Sequence, residues 1–118
     1  MNKTLSLILL FLFLLSCRQK PAEAPQALRF DAAKWKERTG EGHPWRIAML
    51  DDLLQNVKLH GLHYDSVRIL LGPPDREDKG HLFYRLSEKR WNNMVLHART
   101  LVIKLRPDST VEWRKIHQ

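Results

Sequence analysis

The chain has 118 residues, with 20 Lys and Arg against 13 Asp and Glu, a net charge of +7, and one cysteine. That length excludes more than one small domain, and a single thiol excludes a disulfide framework within the chain. The basic balance favours anionic partners.

Asn2 and Lys3 precede an apolar run, Leu5 to Leu15, interrupted only by Ser6. It is too short to span a bilayer core as a helix and has the form of a removable signal over residues 1–16. The run closes with Leu14-Leu15-Ser16-Cys17. This resembles the lipobox of bacterial lipoproteins, which implies cleavage before Cys17 and lipidation of its sulfur. Burying each CH2 contributes about 0.8 kcal/mol, so several acyl chains on one residue give durable attachment where one chain holds only marginally. Cleavage would leave roughly one hundred residues, 19 basic and 13 acidic, a net charge of +6.

Residues 17–29 follow as lipidated cysteine and tether. Pro21, Ala22, Ala24, Pro25 and Ala27 supply almost nothing to bury, and ten extended residues reach at most about 35 Å. With no aspartate next to Cys17 and no acidic pair, the lipoprotein resemblance implies a periplasm-facing place on the outer membrane.

Residues 30–118 are expected to form one domain. Phe30, Asp31 and Trp35 make a short helical or extended arm whose aromatics pack on the main body, ended by Gly40-Glu41-Gly42. From Pro44, Ile47, Leu50, Leu53, Leu54 and Val57 recur at helical spacing, with Gly61 expected just past the helix end and Lys58 and His60 in its last turn. Tyr64 to Leu71 reads as a second helix stopped by Gly72-Pro73-Pro74. The period then changes to two. Leu82, Tyr84 and Leu86 alternate in one strand; Leu101, Ile103 and Leu105 form another, joined through Pro107-Asp108-Ser109 to a third with Val111 and Trp113. Glu88 to Asn93 has the composition of an exposed loop, and Met94 to Leu96 could start the middle strand early. The expected fold class is α+β, a two-helix hairpin on a three-stranded antiparallel sheet.

Gly61-Leu62-His63 before the second helix, Val67 inside it and Leu71-Gly72-Pro73-Pro74 at its exit resemble the SmpA/OmlA family of small lipoproteins, the BamE-like domains. His63 departs from that pattern, which carries serine or threonine there. The resemblance implies an accessory role in outer-membrane protein assembly, through a larger assembly complex or anionic phospholipid. The opening at Phe30-Asp31 and Trp35-Lys36 also resembles a group of uncharacterised envelope lipoproteins of the same layout. This fold occurs in protein inhibitors of hydrolases as well, so layout alone does not assign a role.

Candidate chemistry is sparse. His60-x-x-His63 has a metal-ligand spacing but straddles a turn and lacks a third ligand, so no metal is expected. Asp51-Asp52 point in different directions on a helix and read as a solvated face. No Gly-x-Ser-x-Gly element, phosphate loop or free thiol marks an enzyme, and nothing calls for a cofactor or a small-molecule substrate. Residues 85–118 carry a net charge of +5. Alternation puts Arg85, Lys104, Arg106 and Arg114 opposite Leu101, Ile103 and Leu105, either as an ordinary solvated sheet face or as a surface for phosphate headgroups or an acidic protein; Trp91 is a candidate anchor beside them. The expected envelope address disfavours nucleic acid as the partner despite the charge, so none is expected. The sequence thus points to a lipid-anchored binding or scaffold protein of the envelope, with an inhibitor of an envelope hydrolase that inserts Glu88 to Asn93 as the alternative.

Overall fold

The computed structural model describes residues 26–40 and 42–118. The expected signal segment and the lipidation site at Cys17 lie outside these residues. Among the described residues no helix is long and apolar enough to cross a membrane.

Three short helices and four strands follow in order: α1 (Ala32–Lys36), α2 (Arg46–Asn56), α3 (Tyr64–Leu71), β1 (Arg76–Asp78), β2 (His81–Trp91), β3 (Met94–Leu105) and β4 (Val111–His117). The strands form one antiparallel sheet in the order β1-β2-β3-β4. The α+β class holds, but the sheet is four-stranded and the helices number three, which corrects the expected two-helix, three-stranded layout. The extra strand is Arg76-Glu77-Asp78, all exposed and all charged. It pairs with Phe83, Leu82 and His81 across a tight turn in which Lys79 and Gly80 take φ of 47° and 74°. With no apolar side chain it has no period-two signal to read.

Asp31 starts α1 by accepting from the amides of Ala33 at 2.9 Å and Lys34 at 3.1 Å. That short helix buries Trp35 fully in the core, with Phe30 packed against the same cluster. Helix α2 ends at Asn56, one turn sooner than the end expected before Gly61. Leu59 is buried in the connection that follows, and Gly61, with φ of 81°, sits in a turn there instead of capping the helix. Helix α3 matches its expected span. His63 caps it in place of serine, its Nδ1 accepting from the Asp65 amide at 3.2 Å, and Gly72 closes it with φ of 76° and its amide on the Arg68 carbonyl.

The helices cover one face of the sheet. Met49, Leu50 and Leu53 of α2, Val67 and Leu71 of α3 and Trp35 of α1 bury against Leu82, Tyr84, Leu86, Leu101, Ile103 and Val111. At about 25 cal/mol per Å2 of apolar area removed from water, this single layer is the main source of stability. The opposite face carries no helix among the described residues.

Strands β2 and β3 are much longer than the core needs. Glu88 to Asn93, expected as a loop, is the far arm of a hairpin, with Trp91 paired to Met94 across a two-residue Asn92-Asn93 turn. Met94 to Leu96 belong to β3. Polar composition hid this extension because the arms stand clear of the core, where period-two burial has no face to mark.

Candidate functional site

Register sets the chemistry of the open face. Phe83 pairs with Arg76 on β1 and Val102 on β3, and Val102 pairs with Lys115 on β4. One row therefore runs Arg76, Phe83, Val102, Lys115, two apolar side chains between two cations. The neighbouring rows are Asp78, His81, Lys104, Trp113 and then Arg85, Thr100, His117. Because directly paired residues point to the same face, all eleven line one surface. They border an open concavity of about 1600 Å3 that also takes in Arg38, His43, Asp75, Ser87 and Glu88.

The aromatics of this face are coupled. The Arg76 guanidinium lies 4.0 Å from the Phe83 ring centroid, and His81 stands 6.3 Å from Phe83 and 5.8 Å from Trp113. Trp113 is partly exposed here, on the opposite face from the core that Val111 enters. A bulge between Lys104 and Leu105 lets Leu105 pair with Val111 while Lys104 pairs with Trp113, so one extra residue reverses the alternation of β4.

The same bulge corrects the expected place of Arg114. Paired with Ile103, it lies on the helix side and donates through Nη2 to the Leu54 carbonyl of α2 at 2.9 Å. Arg106 stands in the β3–β4 turn, with Nη2 3.4 Å from His60 Nε2, away from the paired rows. Lys104 does sit on the open face, where Nζ donates to the Lys79 carbonyl at 3.3 Å. Arg85 sits there too and shares Glu88 with Arg90, whose Nε donates at 2.8 Å. The hydrogen bond from Arg90, helped by the nearby Arg85 charge, holds the Glu88 carboxyl below its ordinary range. Trp91 is remote from the rows, near the end of the hairpin. Of the five residues expected to make one surface, the structure brings Arg85 and Lys104 together.

Sequence reasoning missed Arg76 and Lys115. Among the described residues neither forms an ion pair, which leaves their charges available to a partner. The bulge was the missing signal for Lys115; for Arg76 there was none, since β1 has no pattern.

Reasoning from sequence also missed a buried cation. Arg46 begins α2 with 1% of its surface exposed and lies between the rings of Trp35 and Tyr84, 5.2 and 5.6 Å away. Its Nε donates to the Trp35 carbonyl at 3.1 Å, and Nη1 donates to Asp75 Oδ2 at 2.9 Å and to the Arg85 carbonyl at 3.1 Å. Asp75 Oδ2 also accepts from the Arg85 amide at 2.7 Å. One carboxylate thereby joins the start of α2 to β2. Burial lowers the pKa of Arg46 and Asp75 works against that shift, as required of a charge taken out of water.

His43 edges this cluster. Its Nδ1 lies 3.2 Å from the Glu37 carbonyl, and a carbonyl can only accept, so Nδ1 carries the hydrogen. Its Nε2 lies 3.7 Å from Asp75 Oδ1. Desolvation, and next the Arg46 charge, lower its pKa against the pull of Asp75. Two contacts, one on each ring nitrogen, brace the imidazole between the Glu37 carbonyl and Asp75.

The other residues with candidate chemistry serve as struts. His60 and His63 are engaged separately, with Arg106 and with the α3 amide, and among the described residues no group of three metal-ligating side chains occurs. Asp52 accepts from the Phe30 amide at 2.6 Å and from Asn56 Nδ2 at 2.6 Å, so it ties the N-terminal arm to α2 and is not merely solvated.

No family model matches this chain, and no curated protein or solved structure matches it either.

Proposed function

We propose that the protein is a lipid-anchored binding or scaffold component of the bacterial envelope, held at the outer membrane through Cys17, which grips an acidic protein surface with the open face of its sheet. The observation that carries this reading is the row Arg76, Phe83, Val102, Lys115: an apolar strip between two cations without ion-pair partners among the described residues. Such a strip suits a segment that presents carboxylates on either side of an apolar residue, with charge guiding encounter and the strip supplying contact area. The resemblance to the SmpA/OmlA family supports an accessory role in outer-membrane protein assembly or envelope integrity. A regulator of an envelope hydrolase is the second reading, favoured by the projecting hairpin that carries Trp91.

Crosslinking the protein in intact cells and identifying what co-purifies tests this. The wild type is expected to capture a specific envelope complex. The doubly reversed Arg76→Glu/Lys115→Glu form should lose it, and Cys17→Ala should fail to reach it. Capture undiminished by the double reversal removes this face from the function, and capture of a single hydrolase sensitive only to Trp91→Ala favours the second reading.

A further inference from the structure

The far arms of the β2–β3 hairpin carry an exposed apolar end that the sheet face does not use. Trp91 is 67% exposed, Met94 64%, Val95 45% and Leu96 47%. Met94 and Val95 are consecutive in a strand, so they point to opposite sides of the ribbon. An end that is apolar on both sides gains most from a medium that surrounds it, whereas docking on a flat protein surface would leave one side in water. From Lys89 to the turn is three residues, about 10 Å of strand at 3.3 Å per residue. That matches the depth of about 5–10 Å to which interfacial segments enter the headgroup and acyl boundary.

Charge points to the same medium. Between Lys89 and Arg99 there is no acidic residue, while Lys89, Arg90, His97 and Arg99 stand behind the apolar end. The nearest carboxylate, Glu88, is held by Arg85 and Arg90. A Trp at the end with cations set back from it suits a bilayer interface: the indole takes the headgroup level, and long basic side chains reach outward to lipid phosphates. The Asn92-Asn93 turn, with Asn92 at φ of 53°, closes the end in two residues.

We infer that the β2–β3 hairpin is a membrane peg, whose Trp91 and Met94 enter the interface of an anionic bilayer while Lys89 and Arg90 bind its phosphates. This deepens the proposed function and rests on its anchored location, since the lipid on Cys17 supplies the membrane at close range. The peg is the second point of attachment, and with the tether it fixes how the open sheet face is presented. The local concentration set by the tether allows a contact too weak to bind the membrane alone.

The test uses the mature lipoprotein reconstituted in vesicles of phosphatidylcholine and phosphatidylglycerol whose acyl chains are brominated. Tryptophan emission is expected to be quenched by the bromines, and Trp91→Phe should lose that quenched component, because Trp35 is buried and Trp45 and Trp113 lie elsewhere. Acrylamide, a quencher confined to water, should reach Trp91 less readily in vesicles than in detergent. The charge-reversed Lys89→Glu/Arg90→Glu form should shift the emission back to the red in vesicles containing phosphatidylglycerol. Equal bromine quenching of wild type and Trp91→Phe overturns the peg. Intact mass and co-sedimentation with vesicles report the anchor separately, so an acylated, vesicle-bound protein with unquenched Trp91 overturns the peg alone. A protein lacking acyl chains overturns the anchored reading instead.

Discussion

Two arginines 39 positions apart show how differently the two sides of this sheet treat a cation. Arg46, under the helices, is desolvated, stacked between two rings and bonded to one carboxylate and two carbonyls. Arg85, on the open side, keeps contact with water and shares Glu88 with Arg90. The first charge organises the fold, because removing it strands its partners. The second can be traded for a partner's carboxylate at little cost, which is what a contact surface needs.

The sharpest way to break this contrast is Arg46→Met. Losing one member of a buried pair costs about 3–5 kcal/mol, and with Asp75 partly exposed and able to hydrate the lower end is expected, about 3 kcal/mol. Urea unfolding monitored by circular dichroism measures it, and a loss below about 1 kcal/mol would mean that Arg46 fills space without organising the core. Tyr84→Phe comes next. Its hydroxyl donates to the Gly72 carbonyl at 2.9 Å, so its removal leaves a buried acceptor unpaired and should cost about 1–2 kcal/mol.

Acidification acts through His43. Its folded pKa lies below the ordinary 6.5, so the unfolded chain takes up the proton first. Its contribution to stability is complete above pH 6.5 and is lost as pH falls through the lowered folded value. The unfolding midpoint of the wild type should therefore drop with acid below pH 6.5, and His43→Gln should drop less; parallel curves would show that His43 does not titrate with folding. The smallest effect belongs to the open side. Arg76→Glu/Lys115→Glu should change stability by less than about 0.5 kcal/mol even while it abolishes partner capture.

Legibility in the sequence followed the same division. Helix α3 with its Gly72 exit and the turn at Pro107-Asp108-Ser109 were readable because each combines a burial period with a backbone signal. The start of α2 was readable too, although Gly61, taken as its cap, set the expected end a turn past the true one at Asn56. What failed had no burial period. β1 is wholly charged, the far arms of the hairpin meet no core, and a bulge at Lys104 and Leu105 moved Arg114 inward and Lys115 and Trp113 outward. Arg46 escaped notice because hydropathy places any arginine outside, whereas the partners that bury it come from Trp35, Asp75 and β2, all distant in sequence. The candidate surface was therefore half readable: its basic character was visible in composition, while its membership depended on a patternless edge strand, a turn and one inserted residue.

The strap formed by residues 28–31 gives the molecule a mechanical entry point. The Leu28 amide bonds the Ala48 carbonyl, Phe30 bonds Asp52 and Asp31 contacts Met49, three attachments spread along one helix. Under the proposed anchoring at Cys17, a pull from the membrane would reach Leu28 first and have to detach these points before it loaded Trp35 and the core. Tension from a drifting membrane would then be absorbed by a few replaceable hydrogen bonds while the sheet and its open face keep their shape.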